Sequence, residues 1–192
     1  MARARKSRAP SPAQRPLQGL GEAQLAARFQ AALAAGDGVS GAHVVHELTM
    51  RGAFPARIEE ALRQLWDRAA ASIPEWLPMR HVEWLPQAYE AAARFRGARG
   101  RTHIYLVLLD FADRTRGPYG VYVGMSGYRA AQRFDQHKAG IRAAGSVLKR
   151  GLEVLTGPVL HLQYLARADA ARIEGQLAEA LADAGILVEG GH

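Results

Sequence analysis

Cysteine is absent from this chain of 192 residues, and so is asparagine. The lack of cysteine excludes a disulfide scaffold, a zinc site built from thiolates and a cysteine nucleophile. Long apolar runs are missing too, because the longest uninterrupted one, Ile104 to Leu109, is the length of a strand. A membrane span needs ~18 such residues. The sequence therefore predicts no membrane association, and it limits any metal to oxygen or imidazole ligands.

The composition is that of a folded domain. Hydrophobic residues make up 48% of the chain and charged residues 22%, a balance that can bury a core. No apolar segment follows the charges near the N-terminus, which argues against a secretory signal. We therefore expect a cytoplasmic protein.

Positive charge is concentrated at the N-terminus. The net charge is +7, and residues 1–16 contain no acid and five of the basic residues: Arg3, Arg5, Lys6, Arg8 and Arg15. Prolines at three positions of this stretch disfavour a helix. We predict a basic disordered tail over residues 1–16 that contacts nucleic-acid phosphates without sequence preference. A merely solubilising end is the alternative.

Residues 17–96 have the pattern of a small helical unit. Apolar residues recur every four positions from Leu25 to Leu33, and Gly36 is a typical C-terminal stop. Ser40 is a candidate cap for a second helix, and Pro55 suits the first turn of a third. A last helix is expected over 86–96. This unit offers a surface for a protein partner.

The hydrophobic period changes after a predicted flexible linker at 97–101. The pattern predicts strands over 103–110, 120–124, 158–165 and 186–188, with helices over 128–139, 141–150 and 168–183, the last capped by Asp169. The predicted fold class is α/β, more strictly α+β. A helical N-terminal unit would precede a small mixed sheet, flanked by helices, over 102–192.

Five residues of the C-terminal half form an ordered set. They are Tyr105 in His103-Ile104-Tyr105, Tyr122 in Tyr122-Val123-Gly124, Arg133, His137 and Glu174. The set, over roughly residues 101–192, resembles the GIY-YIG nuclease superfamily. The resemblance implies a magnesium-dependent endonuclease (Mn²⁺ is a possible substitute) that hydrolyses DNA phosphodiester bonds. It also implies catalytic roles for the tyrosines, without deciding which of them is the base.

The chemistry of these side chains suits that reaction. Arg133 carries a permanent, planar charge that matches phosphate oxygens, and His137 lies one helical turn further on the same face. Glu174, beside the apolar stripe of its helix, supplies the hard oxygen that Mg²⁺ prefers. Arg129 and Lys138, at the ends of the same helix as Arg133, are the candidate nucleic-acid contacts.

Departures from the family pattern support two alternatives. The first motif has His103 where the family has glycine, Met125 replaces a lysine that some members carry, and no late asparagine exists. These differences favour a nucleic-acid-binding module of the same fold without turnover. A protein-interaction protein is the second alternative, and RNA remains an alternative to DNA.

His43 and His46 lie on the same face of a predicted helix, an arrangement that could suggest a metal site. Their order, His43-Val44-Val45-His46-Glu47, is not that of the zinc-protease motif, in which glutamate directly follows the first histidine. We interpret both as structural or surface residues.

Overall fold

The computed structural model describes residues 10–113 and 117–191. Four helices precede the sheet: α1 (Glu22–Ala35), α2 (Gly38–Met50), α3 (Pro55–Ala69) and α4 (Leu85–Ala93). The C-terminal half contains β1 (Arg99–Asp110), β2 (Tyr119–Ser126), α5 (Ala130–Lys138), α6 (Gly145–Arg150), β3 (Gly151–Val154), α7 (Arg167–Asp183) and β4 (Val188–Gly190). The predicted α+β class is confirmed. None of the helices described is long and apolar enough to cross a lipid bilayer.

Helices α1, α2 and α3 pack around a common core. Leu25, Ile58 and Leu65 are buried in it, as the helical periodicity of the apolar residues in each segment predicted. Gly36 ends α1 in the left-handed conformation, with φ of 64°. The predicted cap of α2 is wrong. The cap is Asp37, whose carboxylate accepts the N–H of Ser40 at 3.0 Å, because an N-cap acceptor must precede the amide that it binds.

The sheet has the strand order β3-β1-β2-β4. β1 pairs antiparallel with both β2 and β3, whereas β4 runs parallel to β2. One face packs on α4 and α7, and the other, which carries Tyr105 and Tyr122, packs on α5 and α6. β1 is therefore covered on both sides, which is why it reads as a continuous apolar run.

Two predicted elements of the C-terminal half need correction. The apolar run 158–165 does not form a strand. Residues Gly157–Leu162 form a 3₁₀ helix with Pro158 in its first turn, and the strand beside β1 is Gly151–Val154. The helix expected over 141–150 starts only at Gly145, because Gly140 and Arg142 have positive φ. A short apolar run cannot by itself distinguish strand from helix.

The predicted linker at 97–101 is also wrong, since β1 already begins at Arg99. The Gly100 N–H donates to the Tyr164 carbonyl at 2.7 Å, and the Ala98 N–H donates to the Asp169 carboxylate at the same distance. Asp169 thus binds the segment before β1 and does not cap α7, whose N-cap is Ala166. Helix α4, predicted as part of the helical unit, shares the core of the sheet.

The described part of the predicted tail is folded. Residues Pro12–Gln14 form a 3₁₀ turn with Pro12 buried, and the Arg15 guanidinium binds both oxygens of Glu47 at 2.7 and 3.1 Å. Arg51 also donates to Glu47 at 2.7 Å. This ion cluster fixes residues 10–16 on α2, so disorder is a wrong prediction for them. Residues 1–9 lie outside the described part.

His43 and His46 are buried in α2, in agreement with the structural interpretation. Both rings pack against Trp76, and His46 Nε2 lies 3.0 Å from the Pro12 carbonyl, which accepts its N–H. Burial lowers the pKa of His46 to about 4, although the Pro12 carbonyl acts in the opposite direction. His46 is 2% exposed, so its neutral form is part of the folded core.

We expect the free energy of unfolding to fall as the pH is lowered from 7 to 4. The unfolded histidine takes up a proton near pH 6.5 while the folded one resists it, so the unfolded state binds more protons in this window. Between pH 7 and pH 4, the lowered pKa of His46 reduces the free energy of unfolding by an amount of order 2–3 kcal/mol. His46→Phe should flatten this slope in denaturant titrations. Parallel pH curves for the variant and the wild type would contradict this assignment.

Candidate functional site

The tyrosine pair, Tyr105 and Tyr122, lies on the sheet face that is covered by α5. Tyr105 of β1 is paired with Gly124 of β2, and the two phenol rings have centroids 5.9 Å apart. A Cβ at Gly124 would lie 2.5 Å from Tyr105 Cζ and 2.7 Å from Tyr122 Cε1. The glycine of Tyr122-Val123-Gly124 is therefore required because both rings occupy the space above it.

His137 projects from α5 onto the tyrosine pair. It is 1% exposed, its Nε2 lies 2.9 Å from the Tyr105 hydroxyl, and its Nδ1 accepts the Ala144 N–H at 2.9 Å. Because a main-chain N–H can only donate, Nδ1 is unprotonated and Nε2 carries the hydrogen of the neutral ring. Burial, with a smaller contribution from Arg133, lowers the pKa of His137 to about 4. The imidazole therefore donates to Tyr105.

Arg133 lies one turn before His137 and is half-buried. Its guanidinium donates to the carbonyls of Ile141 and Arg142, at 3.2 and 2.8 Å, and its positive charge lowers the pKa of Tyr105. The loop after α5 thus fixes the orientation of this cation above the tyrosines. A planar guanidinium held in this way is preorganised to meet a phosphate oxygen.

Glu174 reaches the same place from α7, on the other side of β2. It is 8% exposed, and its Oε1 accepts the Met125 N–H at 2.9 Å. β4 pairs only with Val121 to Val123, so the edge of β2 is left open to this carboxylate at Met125. The negative charge of Glu174 raises the pKa of Tyr122, so the carboxylate acts electrostatically on that phenol.

The two phenols differ electrostatically. Burial raises the pKa of both, whereas the interaction between the two phenols raises the pKa of Tyr105 and lowers that of Tyr122. Because His137 donates to the Tyr105 oxygen, the Tyr105 O–H is left free to donate, and Tyr122 is the neighbouring phenol, with ring centroids 5.9 Å apart. Arg133 lowers the pKa of each phenol. Of the two, Tyr122 is the one whose phenolate the Tyr105 O–H can stabilise.

The two predicted nucleic-acid contacts lie elsewhere. Lys138 Nζ donates to the carbonyls of Leu148 and Gly151, both at 3.2 Å, and thereby ties the end of α5 to α6 and β3. Arg129 is exposed at the N-cap of α5 and lines a separate cleft with His103 and Tyr164. The structure thus brings together Tyr105, Tyr122, Arg133, His137 and Glu174 and assigns the other two residues to different surroundings.

Sequence reasoning missed the main-chain groups of the site. The amides of Ala144 and Met125 orient His137 and Glu174, and the carbonyls of Ile141 and Arg142 hold Arg133. Every residue type carries these groups, so no side-chain pattern identifies them. The positive φ of Arg142, 45°, is a local strain that no motif in the sequence indicates.

Comparisons of the chain with family models, with curated proteins and with solved structures find no match. The residues of the site and their geometry therefore carry the functional interpretation. In residues 10–113 and 117–191, no group of three or more histidine, aspartate or glutamate side chains is arranged to hold a metal ion. A metal bound at this site would have Glu174 as its protein ligand.

Proposed function

We propose that this protein is a magnesium-dependent endonuclease that hydrolyses DNA phosphodiester bonds, in the manner of the GIY-YIG nucleases that it resembles. The observation that carries the proposal is the convergence of side chains from four separate elements. Tyr105 of β1 and Tyr122 of β2 lie between Arg133 and His137 of α5 and Glu174 of α7. This arrangement supplies a cation, proton-transfer groups and a hard carboxylate within one site.

Arg133 meets the charge that develops on the phosphate. Its guanidinium is fixed by the Ile141 and Arg142 carbonyls, so little reorganisation is needed when a phosphate arrives. Groups that are preorganised in this way stabilise a transition state more than mobile surface cations do.

Glu174 fits Mg²⁺ as a single ligand. Mg²⁺ is usually bound through one or two carboxylates together with substrate phosphates and water, so a cage of three protein ligands is not required. Bound there, the ion would polarise the phosphate and stabilise the leaving oxygen. Glu174 itself is kept in place by the Met125 N–H, which orients one of its oxygens.

Tyr122 is the residue to which we assign the role of base. The donors follow one direction, from the Ala144 N–H to His137 and from the His137 Nε2–H to Tyr105, which leaves the Tyr105 O–H to donate to Tyr122. A phenolate at the end of this chain is stabilised by its neighbour, and it can take the proton of an attacking water. Tyr105 then acts as a positioning residue.

The direct test is incubation of the purified full chain with plasmid, branched and single-stranded DNA, each with Mg²⁺, with Mn²⁺ and with a chelator. We expect cleavage of at least one substrate that requires the metal and is lost with the chelator. Binding of DNA without cleavage under all conditions would favour the inactive binding module. Neither binding nor cleavage would contradict the proposed function.

Arg133→Lys should reduce the cleavage rate about 100-fold while DNA affinity changes little. Lysine keeps the charge but loses the planar guanidinium that binds both loop carbonyls. Arg142→Lys is the matched control, because only the main-chain carbonyl of that exposed residue contacts the site. Single-turnover rates at saturating protein separate an effect on the cleavage rate from an effect on DNA affinity. Equal rates for both variants would argue against a role of Arg133 in the chemical step.

A further inference from the structure

A second cleft, of about 430 Å³, lies beside the tyrosine pair at the start of β1. Its lining includes His103, Arg129, Gln163 and Tyr164. His103 and Tyr105 are two residues apart on β1 and therefore point to the same face, about 6.6 Å from each other along the strand. We name this the Tyr164 cleft. It is close enough to the candidate site to receive a nucleotide next to the scissile phosphate.

His103 presents an acceptor to the Tyr164 cleft. It is 5% exposed, and its Nδ1 lies 2.9 Å from Gln163 Oε1. The Gln163 amide nitrogen donates to the Ile104 and Val159 carbonyls, both at 2.9 Å, so Oε1 is the oxygen and His103 Nδ1 carries the hydrogen. In the neutral ring, Nε2 is then an acceptor, and within the described residues it makes no hydrogen bond. Because this acceptor has no protein donor among the residues that the structure describes and opens on the cleft, it can take an N–H or O–H from a ligand.

Tyr164 is held in an unfavourable backbone conformation while its side chain remains 51% exposed. Its φ is 61°, in the left-handed region that non-glycine residues seldom adopt. The Gly100 N–H fixes it by donating to its carbonyl, and a Cβ at Gly100 would lie only 2.4 Å from the neighbouring Leu165 oxygen. The phenol ring lies edge-on to His103, with centroids 4.7 Å apart. Strain retained at an exposed aromatic residue is typical of binding sites.

Arg129 adds a cation at the rim of the Tyr164 cleft. It is exposed at the N-cap of α5 and makes no ion pair with a described carboxylate at salt-bridge distance. An aromatic ring, an unpaired acceptor and an adjacent arginine are the groups that recognise a nucleotide whose base is out of the helix stack.

We propose that the Tyr164 cleft binds an unpaired nucleobase next to the cleaved phosphate. The base stacks on Tyr164 and donates an N–H to His103 Nε2, while Arg129 contacts the adjacent phosphate. This subsite rests on the proposed nuclease function for its place in the reaction. Its binding step, however, is measurable without any cleavage. The implied substrate is DNA with a single-stranded or flipped nucleotide, not a continuous duplex.

The test measures binding of a fluorescent single-stranded oligonucleotide to the full chain in the presence of chelator. Tyr164→Gly should weaken binding about 5-fold to 100-fold, the range typical of losing one base–aromatic stack. Since glycine favours φ of 61°, the same variant should unfold at an equal or higher temperature, which a purely structural role of Tyr164 would not produce. Tyr164→Phe should bind like the wild type.

Tyr128→Ala is the matched control, because Tyr128 is 52% exposed just before Arg129 but does not line the cleft. We expect Tyr128→Ala to change single-strand affinity less than twofold. The affinity for duplex DNA should be the same for the wild type and all three variants. Equal single-strand binding by Tyr164→Gly and the wild type would overturn the subsite. If binding depends on Tyr164 but no metal-dependent cleavage occurs, the subsite is retained and the nuclease function is rejected. If metal-dependent cleavage occurs and does not depend on Tyr164, the nuclease function is retained and the subsite is rejected.

Discussion

Replacing Glu174 by glutamine is expected to abolish metal-supported cleavage while leaving the fold intact. Glutamine keeps the volume and an oxygen that can accept the Met125 N–H, so the free energy of unfolding should change by less than about 1 kcal/mol. It removes the charge that would hold Mg²⁺. A metal acting as a Lewis acid supplies several kcal/mol of transition-state stabilisation, so the rate should fall by roughly 1000-fold or more. Cleavage across a titration of Mg²⁺ is the measurement.

Glu179→Gln is the matched control for this variant. Glu179 is on the same helix, α7, but it is exposed and turned away from the buried face on which Glu174 lies. The two variants change the net charge equally, so a general electrostatic effect on DNA binding would appear in both. If Glu174→Gln cleaves like the wild type, with the same requirement for metal, the proposed metal site is wrong.

The long, strongly patterned elements could be predicted from the sequence because their burial is periodic. β1 is apolar at every position from Ile104 to Leu109 since both faces are covered, and α3 begins at Pro55 with one apolar face. The short elements could not be predicted in this way. β3 has only four residues, and nothing within Gly151–Val154 distinguishes it from the end of α6. Its identity comes from pairing with the free edge of β1, which is a tertiary effect.

The candidate site also has a part that the sequence predicts and a part that only the tertiary structure determines. The four-residue spacing of Arg133 and His137 predicts one helix face, and that face does meet Tyr105. The direction of the hydrogen bonds could not be foreseen, because it is set by the amide of Ala144 in the loop after α5. Lys138 shows that the position of a charge in the sequence does not by itself identify a phosphate contact. Its sequence position resembles that of a phosphate contact, but its ammonium caps main-chain carbonyls.

The folded N-terminal segment changes the electrostatic interpretation of the helical unit. Arg15 belongs to the predicted phosphate-binding tail, but its guanidinium is bound to Glu47 beside Arg51. A cation that is already paired contributes less to non-specific DNA affinity than a free one. Within the described residues, the exposed arginine nearest in sequence to the candidate catalytic helix is Arg129, at its start. Positive charge near the site therefore comes from α5 itself.

Replacing Tyr122 by phenylalanine should lower the cleavage rate by about 10²–10⁴, the usual range for losing a general base. The ring stays, and Tyr122 is only half-buried, so water can replace its hydroxyl as the acceptor for Tyr105 and stability should hardly change. Because burial raises the pKa of Tyr122, the phenolate fraction of the wild type grows with pH over the range 7 to 9. The rate should therefore rise about tenfold per pH unit in the wild type and lose this dependence in the variant.

Tyr105→Phe should behave differently from Tyr122→Phe. The His137 Nε2–H is buried and would lose its acceptor, so the variant should be destabilised by about 1–3 kcal/mol. Its remaining activity should still increase with pH, because Tyr122 is still present. Tyr119→Phe, at the far end of β2, is the control and should match the wild type in both respects. If Tyr105→Phe loses the pH dependence and Tyr122→Phe retains it, the proton is transferred to Tyr105, and the direction inferred for the hydrogen bonds must be reversed.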